Sequence, residues 1–490
     1  MTIDINSTNR VAHGKVREST FGVIPTSPAI KAIRVTSSSL SAKPTTIVSD
    51  EIRSDRQVTD LNLVGTQADG DVGAELSFLA QDDDFEEVLQ SAWVSNPNIV
   101  NIAADTQISA LTATTATVAA GGAAFLAGMI ALLSGFTTAG NNKAAVVASS
   151  TATTVVFPSS TFTEEAGAIP VGASLRAVGV QGAASDIVAT AGPNGLSSTL
   201  LDFTTLGLVA GQWIKVGGAA AGAKFATAAN NDWCRILSIA ADAMLFDRVP
   251  ASWGADVGTG KTISIFFGDY LRNGSTLLSS TFERQYLDQS PVSYEYLTGM
   301  CLDKVALTVS SQKIMTMVKS YIGETGTIST SRASGASDVA APVNQILNAS
   351  ANVGRLGVNG ATVTGPNYVM EATIDIANNL RPLNAVGNLG AIGMGNGEFT
   401  LTGSLNTYFG DLTYYNLLLA NSASSFDFRV GRADGNKEAY LFDMPRMKFS
   451  SGAPTVPGKN QNVMLPLAFQ ALRDPTLGYT IHMQRHWYLE

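Results

Sequence analysis

Polar and apolar residues alternate from Glu398 to Tyr408, with Phe399, Leu401 and Leu405 on one side and Glu398, Thr400, Thr402, Ser404 and Asn406 on the other. A period of two over this length predicts a strand with one apolar and one wet face. A helix is predicted directly afterwards, where Asp411 can cap the first N–H groups and Leu412, Tyr415, Leu418 and Leu419 recur at helical spacing. The N-terminal side has the same parts. DRQVTDLNLVG and DVGAELSFLA form a long alternating pair, and DDDFEEVLQSAW from Asp82 is helical, with Phe85, Val88, Leu89 and Trp93 as its stripe. An alternating pair followed by a helix, twice, suggests an internal pseudo-duplication. In CLDKVALTVSSQKIMTMVKSYIG the alternation of Val305, Leu307 and Val309 predicts two strands around a Ser310–Lys313 turn, although Ile314, Met317, Val318 and Tyr321 also fit helical spacing. As strands, they place Met315, Met317 and Tyr321 on one face, expected to be core or subunit contact.

The middle of the chain repeats itself. FLAGMIALLSG from Phe125 aligns with LVAGQWIKVGG from Leu208, which sets Ala127 on Ala210, Gly128 on Gly211 and Gly135 on Gly218. Asn141-Asn142 matches Asn230-Asn231, and Phe157 and Phe246 follow at one constant spacing. Two copies of a unit of several short strands are the economical reading. The repeat also bears on Ala116 to Leu133, the one apolar run about as long as a membrane span. Its counterpart carries Asp202 and Lys215, so a buried strand between glycine turns is expected and not a span.

A chain of 490 residues exceeds one ordinary domain of ~100–200 residues. Charged residues are only 14%, about half the usual ~25%, as suits flat, closely packed β surfaces. The formal charge of −9 argues against a protein that grips nucleic acid, because phosphate binding needs clustered Lys and Arg. The two cysteines, Cys234 and Cys301, form no CxxC pair and are expected to be buried free thiols in a reducing compartment. MTIDINSTNR shows no basic-then-apolar export pattern, so cytoplasmic synthesis is expected.

Candidate chemistry is sparse. GADVGTGKT has Ala255 where a phosphate-binding loop needs its first glycine, and TISIFFGD after it alternates like a strand, so a glycine-rich turn is expected. Asp82, Asp83, Asp84, Glu86 and Glu87 open a helix and are read as caps of its first-turn N–H groups. His13, His482 and His486 lie near no GxSxG nucleophile. With no acidic third ligand beside them, His482 and His486 are expected at a surface or interface. No enzyme, cofactor or metal site is expected.

GEFTLTGSLNTYFGDLTYYNLLLANSASSFDFRV, followed by YLFDMPRMKFSSGAPTVPGKNQNVMLPLAFQALRDPTLGYTI, resembles the C-terminal half of the major tail tube proteins of long-tailed (siphovirus-type) bacteriophages. Arg17 to Gly65, the strand from Val72, the helix from Asp82 and EATIDIANNLRPLNAVGNLG, Glu371 to Gly390, are similar to the same family. The resemblance implies a mainly β fold, a tail-tube β sandwich or barrel with flanking short helices, and it favours strands for the methionine segment. Residues 1–98 and 271–490 would form the tube domain, with 99–186 and 187–270 as two inserted small β modules, the second repeating the first. It further implies a structural virion protein, a homohexamer in stacked rings that form the tail tube for DNA ejection. Partners would be the protein itself, tape measure protein, tail terminator and distal tail proteins. Genomic DNA would pass without specific binding, and assembly would occur in the host cytoplasm. On this reading the wet faces place Asp60, Asn62, Glu75, Ser77, Glu398, Thr400 and Thr402 along the channel. Such a lining, acidic to neutral, repels phosphate within a Debye length of ~8 Å. The segments RESTFGVIPTSP, TSRASGASDVAAP and GAPTVPGKNQN are candidate stacking arms. A β-rich surface-lattice or adhesin protein would share this composition, but it would need an export signal.

Overall fold

The structure, a computed structural model, describes residues 6–490 other than 104, 166 and 364. Two series of elements follow each other along the chain. The first comprises β1 (Val11–Arg17), β2 (Ser41–Val48), β3 (Leu61–Glu75), α1 (Asp82–Leu89), β4 (Ser280–Tyr286), β5 (Ser293–Ser310), β6 (Thr316–Gly323) and β7 (Thr325–Ser329). The second comprises β8 (Val353–Val358), β9 (Val369–Ala377), β10 (Thr400–Tyr408), α2 (Thr413–Leu419), β11 (Ser424–Gly431), β12 (Ala439–Gly452), β13 (Met464–Ala471) and β14 (His482–His486). Eight of these strands make one antiparallel sheet in the order β2-β3-β6-β5-β9-β10-β13-β12. A second layer is built from β1-β4-β5-β7 and β8-β11-β12-β14, using the N-terminal parts of the long strands β5 and β12. The protein is mainly β, as the alternation predicts.

Alternation explains the packing between the layers. Val72, Met317, Tyr321, Val305, Leu307, Ile374, Ile376, Leu401, Leu405, Leu467 and Phe469 point from the eight-stranded sheet into one core, joined by Phe85, Val88 and Leu89 of α1. The methionine segment forms β5 and β6, and Met315 and Met317 are buried. Helix α2 is only seven residues long and buries Tyr414, with Tyr415, Leu417 and Leu418 packed against the core. Leu412 and Leu419, expected on its inner face, are exposed. Asp411 accepts the Thr413 N–H at 2.8 Å, from one residue ahead of the N-cap position.

The acidic run of α1 does not cap. No side-chain cap bond closes the helix. Asp84 instead accepts from Lys15 of β1 at 2.5 Å, Lys319 of β6 at 2.7 Å and the Tyr321 hydroxyl at 2.9 Å. Glu87 accepts from Lys15 at 3.1 Å, and Asp82 from Arg485 of β14 at 2.5 Å and from Tyr440. Burial pushes the Glu87 carboxyl up, whereas Lys15 and Lys319 overcome burial and hold Asp84 well below the carboxylate range. These ion pairs tie α1 to both layers, and breaking one would leave its partner charge buried and unpaired.

Between α1 and β4 the chain leaves this fold. Strands Ile108–Leu111, Thr115–Val118, Met129–Ser134, Thr154–Val156 and Ser174–Gln181 follow the same plan as Val188–Ala191, Asn194–Ser197, Trp213–Val216, Ala243–Arg248 and Ser264–Phe266. The paired asparagines hold identical turns. Asn142 accepts from the Phe136 N–H at 2.8 Å and donates to its carbonyl at 2.9 Å, and Asn231 does the same with Phe225 at 2.8 and 2.9 Å. Asn141 brackets Thr163 as Asn230 brackets Gly254. The apolar run from Ala116 is two short strands split by a 3-10 turn at Gly122–Ala124. Among the described residues no helix is long and apolar enough to cross a membrane. In GADVGTGKT, Gly258 and Gly260 adopt positive φ, Lys261 donates to the Ala221 carbonyl at 3.0 Å, and a strand follows at Ser264. Cys234 and Cys301 are buried free thiols.

This central region packs against the outer layer. Along β12, Tyr440, Phe442 and Met444 enter the main core while Ala439 and Leu441 meet Trp213, Trp233 and Phe266. Asp443 accepts from Arg235 at 3.1 Å, and Gln484 of β14 bonds both backbone groups of Trp213. His482 and His486, expected at a surface or interface, lie on that same face of β14, fully buried in the contact with the central region and not at the surface. His486 meets Trp233 edge-on at 4.9 Å, and His482 accepts from Arg272 at 3.0 Å. Burial pushes both imidazoles down, His486 to about 3.

Candidate functional site: the polar face of the eight-stranded sheet

Among the described residues no helix or strand of the chain's own covers the side of the sheet opposite the core. Cross-strand registers arrange its side chains in rows. One row runs Asp71, Ser320, Lys304, Ala377, Thr400. The next runs Gly73, Val318, Ala306, Asp375, Thr402, Gln470, Lys448. A third runs Glu75, Thr316, Thr308, Thr373, Ser404, Ala468, Ser451. Glu371 continues the pattern opposite Asn406. Hydroxyls dominate the centre, and Thr373 and Ser404 bond to each other at 2.9 Å. Asp71, Glu75, Glu371 and Asp375 outnumber Lys304 and Lys448, so the face is polar and acidic.

Three of the seven residues named from alternation, Glu75, Thr400 and Thr402, stand on this face. Glu398 is exposed just ahead of β10, with its carbonyl held by Asn379 at 2.8 Å. Asp60 and Asn62 lie on the projecting β2–β3 hairpin, where Asn62 is opposite Ile47. Ser77, expected along the channel, is not on this face. It sits beyond β3, where the chain turns towards α1, and is fully buried with its hydroxyl accepting from Arg34 at 2.9 Å. Asp71, Lys304, Thr308, Glu371, Thr373 and Asp375 were not anticipated. Their signal was present: Val305, Leu307 and Val309, or Ile374 and Ile376, put the intervening residues on the other face.

The hairpin tips show a second surface that alternation did not reveal. Ile47, Val48, Ile52, Val58, Leu61 and Leu63 are exposed on the β2–β3 hairpin. At the same end of the sheet the β9–β10 connection exposes Leu383, Val386, Leu389 and Ile392. The Thr66 N–H donates to the Leu389 carbonyl at 2.9 Å, so the two projections touch. The segment around TSRASGASDVAAP is anchored on its own chain, through Arg332 to Glu283 at 2.9 Å and through Ser337–Val339, which pairs in parallel with Ala29–Ala32.

A broad antiparallel sheet with a dry side, a polar side and, among the described residues, one open edge on each outermost strand is the architecture of a structural β protein. The sequence profile of the phage tail tube protein family matches the chain twice, over residues 8–225 and 218–471. The chain belongs to the phage tail tube protein family, and is a structural component of the virion tail. A comparison with curated proteins finds no match.

Proposed function

We propose that the protein polymerises as stacked rings of six tube-fold units and that the polar face of the eight-stranded sheet lines the channel through which DNA leaves the virion. The observation that carries this reading is the continuity of that face from β3 to β12, with the large apolar side chains of these strands, Val318 excepted, turned mainly into the core. A sheet that closes with its neighbours removes its exposed edges. Acidic and hydroxyl side chains would then face phosphate and outnumber Lys304 and Lys448, so that phosphate is repelled weakly and meets no cluster of cations.

The apolar hairpin tips project from one end of the sheet and suit contact with the next ring. The central β units would face outwards, because they lie on the outer layer, across the core from the polar face. Tape measure, terminator and distal tail proteins are the expected partners at the ends of the tube, on the strength of the family resemblance.

Glu75→Lys, Asp375→Lys and Glu398→Lys together would place cations in the lumen. Phage carrying them is expected to assemble tubes and eject DNA more slowly, with the slowing relieved by salt. Unchanged ejection from tubes of normal length would contradict the proposed lining.

A further inference from the structure

The two series of elements match strand for strand, β1 to β7 with β8 to β14 and α1 with α2. Met300 opposite Ser280 has its counterpart in Met447 opposite Ser424, and after a register shift in each case Phe282 opposite Leu297 corresponds to Phe426 opposite Met444. The shift between Leu302 and Lys304 recurs between Phe449 and Ser451. Gly14 opposite Glu283 corresponds to Gly357 opposite Asp427. Even a tight approach is repeated. A Cβ on Gly70 would come within 2.6 Å of the Ser39 carbonyl oxygen, and one on Gly403 within 2.3 Å of the Thr373 carbonyl oxygen. The registers make Ser39 the counterpart of Thr373. The sheet is therefore two four-stranded repeats side by side, β2-β3-β6-β5 and β9-β10-β13-β12.

Inside the chain the repeats join where β5 meets β9, with Lys304 opposite Ala377, Ala306 opposite Asp375 and Thr308 opposite Thr373. The same strands also end the sheet. Among the described residues β2 pairs only with β3, and residues 448–452 of β12 pair only with β13. Carried across the repeat, the internal junction sets Ser451 opposite Lys43 and Ala453 opposite Ser41. Pro44 and Pro454 donate no N–H and bound this ladder at its two ends. The strand directions agree, since β12 runs antiparallel to β13 as β5 does to β6.

We infer that β2 of one chain pairs with residues 451–453 of the next in the register of the internal β5–β9 junction, so that a ring holds three chains and not six. Such a contact is heterologous and closes by rotation, each chain offering one edge and receiving the other. The chain count rests on the ring of six tube-fold units proposed above, because each chain supplies two of them.

Ser41→Cys with Ala453→Cys tests this in assembled tubes. Directly opposed Cβ atoms lie about 4.5–5.5 Å apart, while a shift of two residues gives about 7–8 Å, beyond disulfide reach. Under oxidation the pair is expected to crosslink neighbouring chains in a ladder that stops at three, and Lys43→Cys with Ala453→Cys is expected to crosslink at least tenfold more slowly. No crosslink, equal rates for the two pairs, or a ladder continuing to six would overturn the inference. If the double variant does not assemble, rotational analysis of unmodified tubes decides: threefold symmetry with a weaker sixfold component supports three chains, and true sixfold symmetry excludes them. Wild-type protein that forms no tubes would instead remove the ring reading itself.

Discussion

Asp84 shows how a residue's role depends on what the fold brings to it. In the sequence it is one of five acids at a helix start, where capping is the ordinary expectation. In the structure Lys15, Lys319 and Tyr321 converge on it from strands far apart in the chain, and no local pattern announces those partners. The burial of His482 and His486 was hidden for a related reason. They stand on one face of β14, and what covers that face comes from the central region. Their burial has a consequence with pH. Both imidazoles are pushed down in the folded protein, so above the unfolded value of about 6.5 they are neutral in both states. Below it the unfolded chain takes up protons that the fold refuses, and stability falls as pH falls. The thermal midpoint of His486→Phe is expected to drop less than that of the wild type between roughly pH 6.5 and 5. Equal drops in the two proteins would show that His486 contributes nothing to the dependence.

At the scale of elements, strands were readable wherever one face is dry and the other wet, as in β5, β9 and β10. The repeated asparagine pair was readable too, because each Asn satisfies backbone groups that no strand can reach. Short helices were less so, and the face of α2 shifted by a residue because seven residues leave little periodicity to fit. The hairpin tips escaped because exposed apolar residues have no period. Their partner is expected to be the next ring, and Ile52→Asp with Val58→Asp should therefore leave rings intact while tubes shorten or disappear under negative stain. Tubes of wild-type length would exclude the tips from stacking.

For the whole molecule, the amino-acid pattern specified a β protein with a duplicated architecture, while the lateral order of strands became readable only from the registers. That order matters most, since it turns scattered wet residues into one surface and repeats a four-stranded unit across it. On the proposed function this face becomes the wall of a channel. The most direct test is a cryo-electron microscopy cross-section of tubes grown from the purified protein. A hollow tube is expected whose inner wall is the eight-stranded sheet, with Glu75, Asp375 and Thr402 towards the lumen and the central β units outside. A lumen lined by the central units, or a sheet whose polar face points away from the axis, would contradict it.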